Sequence, residues 1–127
     1  MKLALTAAAA ALFLTGLAAC QKHLEAPLDR GVCYHVAFSK EGKARFNRVA
    51  ENMPNMENCA AQLEGMRLRF LRMGAYQKEV VGSYQGAFIF VRPAGIYSAK
   101  YYEGVQYLAL VRTGDGRLAM PGAMPRE

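Results

Sequence analysis

From residue 32 onward the chain alternates short apolar runs with polar breaks marked by Gly and Pro. Residues 33–38 (CYHVAF) and 44–50 (ARFNRVA) carry the aromatic and β-branched residues of strands. The SKEGK between them reads as a turn, with Gly42 free to take a positive φ, so the two runs form a hairpin. Residues 51–55 (ENMPN) are a helix entrance: Pro54 suits a first turn, and Asn52 or Asn55 a cap. Over residues 56–73, Met56, Cys59, Leu63, Met66, Phe70 and Met73 recur at steps of three and four, which makes one apolar stripe on a helix. Glu57, Asn58, Gln62, Arg69 and Arg72 fall on its other side, and Gly74 is placed to stop it. A helix of that length rises about 27 Å, enough to cross a small sheet.

Three more strand-like runs follow. Residues 84–91 (YQGAFIFV) are apolar on both faces and read as one central strand. Residues 96–102 alternate, and residues 105–111 are again apolar on both faces. RPAG, Glu103-Gly104 and TGDG supply the turns between and after them, the last leading into residues 117–119. The expected fold is α+β, one helix packed on a mostly antiparallel sheet in the order β-β-α-β-β-β. One helix covers one face only. The sheet is therefore expected either to curl toward a barrel or to be crossed by the tail at residues 120–127.

The first twenty residues have a different character. Met1-Lys2 is a short positive start, and LALTAAAAALFL is an apolar core too short for a comfortable membrane span. It ends in Leu17-Ala18-Ala19-Cys20. This resembles the lipobox of bacterial lipoproteins. The resemblance covers residues 1–20 and implies that residues 1–19 are a signal peptide, that the Cys20 thiol receives a diacylglycerol, and that cleavage falls just before it. Gln21, where an inner-membrane protein of enteric bacteria would carry Asp, implies passage to the outer membrane, facing the periplasm. Residues 20–31 (CQKHLEAPLDRG) then read as a tether, residues 32–119 as a single domain, and residues 120–127 as a C-terminal tail.

An oxidising compartment changes the meaning of the cysteines. Three are present; with Cys20 lipidated, Cys33 and Cys59 are left to pair as a disulfide. Cys59 lies in the helix stripe, so the bridge would pin the helix to the first strand. A metal is not expected, because Cys33, His35 and Cys59 show no CxxC or HxxxH pairing. No cofactor is expected either, since the chain lacks GxSxG, HExxH and a phosphate-cradling loop with a Lys.

Charge adds one more constraint. The chain carries 16 Lys and Arg against 10 Asp and Glu, and removing Lys2 with the leader leaves a balance of +5. Outside the cytoplasm this favours anionic neighbours such as lipid headgroups, a wall component or an acidic envelope protein, and nucleic acid is not an expected partner. Arg45 and Arg48 on the second strand, with Arg67, Arg69 and Arg72 on the helix, are the candidate basic surface. The expected role is that of a non-enzymatic binding or structural module attached to the membrane through Cys20. An envelope hydrolase with an unmarked site is the alternative. The general plan is also similar to that of periplasmic lysozyme inhibitors, which implies inhibition of a wall-degrading enzyme; the central helix and the basic charge count against that reading.

Overall fold

The computed structural model describes residues 23–76 and 78–122. Cys20, the leader and most of the expected tail lie outside them. β1 (Cys33–Phe38) and β2 (Ala44–Ala50) form the expected hairpin, with Gly42 at φ 79° in its turn. The helix α1 (Met56–Arg72) starts at Asn55, whose side chain accepts from the Asn58 N–H at 2.9 Å, and stops before Gly74 at φ 83°. β3 (Val80–Tyr84), β4 (Ala87–Arg92), β5 (Gly95–Ala99), β6 (Tyr107–Arg112) and β7 (Leu118–Ala119) follow. All pair antiparallel in the order β2-β1-β3-β4-β5-β6-β7. The class is thus α+β as expected, but the sheet stays open, with β2 and β7 at its edges.

One expectation about the strands fails. Residues 84–91 are not a single strand. Gln85 and Gly86 take φ of 44° and 86° and turn the chain, so that Tyr84 ends β3 and Ala87 begins β4. Positive φ at both central residues is the tight hairpin geometry that matches the twist of the flanking strands. The run looks continuous because both strands of this hairpin are buried on both faces. Val80 and Val81, outside every run expected to be a strand, open the extra strand.

Helix and sheet share the first core. Cys59, Ala60 and Leu63 lie on Val80, Tyr84, Ile89, Val91, Ile96 and Leu110. The sulfurs of Cys33 and Cys59 are at bonding distance, 1.99 Å, across this interface. Gly82 lets the helix settle further. A Cβ there would stand 2.5 Å from the Tyr34 carbonyl oxygen and closer still to the Leu63 side chain.

The opposite face carries a second core of Val36, Phe88, Phe90 and Ala99. The sheet does not close into a barrel over it, and the expected crossing by the tail falls mostly outside the described residues. The cover is residues 23–31, the described part of the expected tether. Leu24 and Ala26 pack on that core, and Glu25 bridges Tyr101. The Leu24 and Pro27 carbonyls accept from the Tyr102 and Gly86 N–H groups at 3.3 and 2.9 Å. Tyr34 donates to the Asp29 carboxylate, and the Gly31 N–H donates to Gln85 Oε1 at 2.9 Å. Tyr102 folds back beside this strap, its ring 4.7 Å from Phe38 and 5.9 Å from Phe88. Met120, in contrast, is exposed.

Two stability measurements check this packing. Opening the 26-residue separation between the cysteines with Cys33→Ala and Cys59→Ala should cost roughly 3 kcal/mol in urea unfolding. Gly82→Ala should cost roughly 1–3 kcal/mol, because the Tyr34 backbone cannot retreat as a side chain could. An unchanged urea midpoint in either case would contradict the described interface.

Candidate functional site

The five arginines do not form one surface. On β2, Arg45 and Arg48 are an odd number of residues apart, so they point to opposite faces. Arg45 pairs with Ala37 and shares the helix side with His35, whose ring lies 6.2 Å from Phe70. Arg48 lies on the strap side near Tyr34 and bonds Glu51 at 2.9 Å. Arg67 is buried, only 8% exposed, although it belongs to the helix. Arg69 and Arg72 are exposed in the last turn of α1, where cations complement the helix dipole. Arg45, Arg69 and Arg72 therefore remain as exposed cations on the helix side.

Arg67 is absorbed by a cluster that spacing alone did not reveal. Glu64 sits between two guanidinium groups. Arg67 Nη2 and Nε donate to its carboxylate at 2.8 and 3.2 Å, and Arg112 Nη2 and Nε at 2.5 and 3.2 Å. Arg112 also donates from Nη1 to the Pro93 carbonyl at 2.9 Å. Burial alone would raise the Glu64 pKa, but the hydrogen bonds and charges of the two arginines outweigh it and hold the group below its usual range. Each carboxylate oxygen accepts from both arginines, so the cluster is satisfied within itself. It ties the middle of α1 to β6 on the side away from β1. Its work is structural.

A more open arrangement lies between β1 and β3. These strands pair over three positions only, Cys33 with Tyr84, Tyr34 with Ser83 and His35 with Gly82. β1 continues to Phe38 on β2, and β3 reaches back to Val80 on β4, but the two splay apart. The gap is a cleft of about 430 Å³ lined by His35, Val36, Ala37, Phe38, Lys78, Glu79, Val81 and Tyr102. Side chains from both faces of β1 border it, so it is a notch in the plane of the sheet and not a dent on one face. Lys78 is exposed at its rim, and Glu79 is tied up by Arg92. Burial pushes the His35 pKa below its usual value, so the ring stays neutral near pH 7.

His35 was singled out from sequence only as a partner for Cys33. The cleft itself left no signal, because where two paired strands part company depends on sheet twist and on Gly82. Among the described residues no three His, Cys, Asp or Glu side chains converge as a metal would need, and no helix is long and apolar enough to cross a membrane. The chain matches no known protein family, no curated protein and no solved structure.

The charge cluster predicts how stability depends on pH. Glu64 has a folded pKa below its unfolded one, so it stabilises above the ordinary carboxylate value of about 4.3 and loses that contribution as pH falls. His35, held neutral by burial, destabilises as pH falls below about 6.5, where the unfolded chain takes up its proton. Both act in the same direction, toward acid lability. Glu64→Gln should cost roughly 3 kcal/mol at pH 7, because it strands Arg67 in the interface. It should also shrink the further loss between pH 5 and pH 3 seen by urea unfolding. A variant as stable as the parent at pH 7 would contradict the cluster's role.

Proposed function

We propose that this chain is a small lipid-anchored protein of the bacterial envelope, acting as a non-enzymatic binding module held close against its membrane. The LAAC sequence at Cys20 supports the anchor, and Gln21 favours the outer membrane, on its periplasmic side. The observation that carries the reading further is the strap. Residues from Leu24 onward are packed on the aromatic face rather than free. With lipid on Cys20, four peptide steps separate the anchor from the docked chain, a reach of about 14 Å at most. Two or three acyl chains give a stable attachment at about 0.8 kcal/mol per buried CH₂. The module then meets partners at the membrane surface and does not range across the periplasm.

The His23, Lys100 and Tyr101 corner is the part held nearest the bilayer. The Tyr101 ring lies 4.9 Å from His23 and 5.4 Å from the Lys100 ammonium. Aromatic rings with nearby cations suit a headgroup layer.

Cys20→Ser should release a soluble or unprocessed protein, read by membrane fractionation and the mass of the N-terminus. A Cys20→Ser protein processed and membrane-bound like the parent overturns the anchor. In the lipidated parent reconstituted into vesicles, a fluorophore at position 100 should be quenched by headgroup nitroxides. A ten-residue Gly-Ser spacer between Lys22 and His23, spanning about 17 Å on average, should relieve that quenching. Equal quenching with and without the spacer overturns the short leash and leaves the anchor standing.

A further inference from the structure

The notch between β1 and β3 presents two strand edges to the same space. β1 keeps its ladder with β2 through Phe38, but among the described residues nothing pairs with its other edge beyond His35. β3 keeps its ladder with β4 from Val80, and among the described residues no strand pairs with its other edge before Gly82. Backbone N–H and C=O groups are obligatory hydrogen-bonding groups, and an extended chain is the ligand whose own groups match such edges. The three free residues on β1, Val36 to Phe38, run roughly 10 Å, a length that matches a short extended segment.

The surrounding charge selects among such segments. Lys78 stands at the cleft. Lys43 and Arg45 border the adjoining hollow, which shares Ala37 and Phe38 with it; Glu41 is the acid there. Glu79, the acid in the cleft, is neutralised by Arg92. The balance around the notch is positive. Its walls differ in character. His35 and Ala37 belong to the helix side, whereas Val36, Phe38, Val81 and Tyr102 form the apolar wall on the strap side. A strand alternates its side chains between faces, so one set would rest on the apolar wall and the other would face the cations.

We propose that this notch takes an extended, acidic polypeptide segment from another envelope protein, laid as a strand between β1 and β3. The proposal deepens the reading of the domain as a binding module and names the partner's chemistry. Specificity comes from alternation, with apolar residues toward Phe38 and Tyr102 and acidic ones toward Lys78 and Arg45. The β6 edge offers another hollow, lined by Met56, Tyr107, Leu108, Met120 and Pro121, but its apolar lining selects no particular occupant.

The test uses the oxidised, soluble Cys20→Ser protein, so that its result does not depend on the anchor. The probes are capped hexapeptides alternating valine with glutamate, the same peptide with lysine for glutamate, and the glutamate peptide with alternate N–H groups methylated. Backbone amide shifts in NMR are the readout. The acidic peptide should perturb Val36 to Phe38 and Val80 to Gly82, and methylation should weaken it about tenfold by removing ladder bonds. Lys78→Glu should weaken it while leaving the rest of the spectrum in place. Equal binding of the lysine peptide, shifts centred on the β6 edge, insensitivity to methylation, or no binding at millimolar peptide each overturn the proposal. So does a dimer in sedimentation whose interface shifts fall on the same amides, since the occupant is then a second copy. Any of these, with Cys20 lipidated in the parent, refutes the notch and leaves the anchored-module reading intact.

Discussion

A sheet that is apolar on both faces needs cover on both, and among the described residues one helix is on offer. That constraint organises the rest of the molecule. α1 takes the face with Ile89, Val91 and Ile96, and the face with Phe88 and Phe90 is left to whatever chain is available. An irregular segment can cover a core only if its backbone groups find partners, because unpaired buried amides are costly. Residues 23–31 meet that condition by borrowing from places where the sheet itself turns: the Gln85-Gly86 hairpin and the Tyr101–Tyr102 segment beyond β5. The turn chemistry and the strap depend on each other.

The helix is fixed from two sides. Near its start, Cys59 meets Cys33 on β1; near its middle, Glu64, which also accepts from Arg67, meets Arg112 on β6. These attachments lie on opposite flanks of α1 and oppose its rolling on the sheet. The first acts mainly on the unfolded chain, whose freedom the bridge restricts. The second acts on the folded state and matters for precision more than for net stability, since a buried ion pair offsets its own desolvation only in good geometry. Gly82 sets how deeply the helix sits between them.

Local periodicity carried most of the fold. The hairpin at Gly42, the helix with its Asn55 cap and Gly74 stop, and the pairing of Cys33 with Cys59 were legible because each depends on nearby spacing or, for the cysteines, on the place of Cys59 in the helix's apolar stripe. The β3–β4 turn was not, because Gln85 is a weak turn residue and the flanking strands are apolar on both faces, which hides the break. The strap was misread as a tether because residues 23–31 are polar and short of strand formers; they pack through Leu24, Ala26 and a few backbone groups, which leave little trace in composition. The arginine surface failed in two ways. Alternation sends Arg48 to the wrong face, and Glu64, unremarkable in sequence, claims Arg67. The notch at His35 could not be read from sequence at all, since it is a divergence between strands and not a property of either.

The strap also sets an order of events. Its partners come much later in the chain; Gly31 and Gln85 alone are 54 residues apart. A contact of that span forms only after the intervening hairpins have closed most of the loop. The stretch that comes first in the described chain is therefore the last to settle. Until it does, Phe88 and Phe90 lie bare, and the nascent domain is at its most adhesive while its strap is still free.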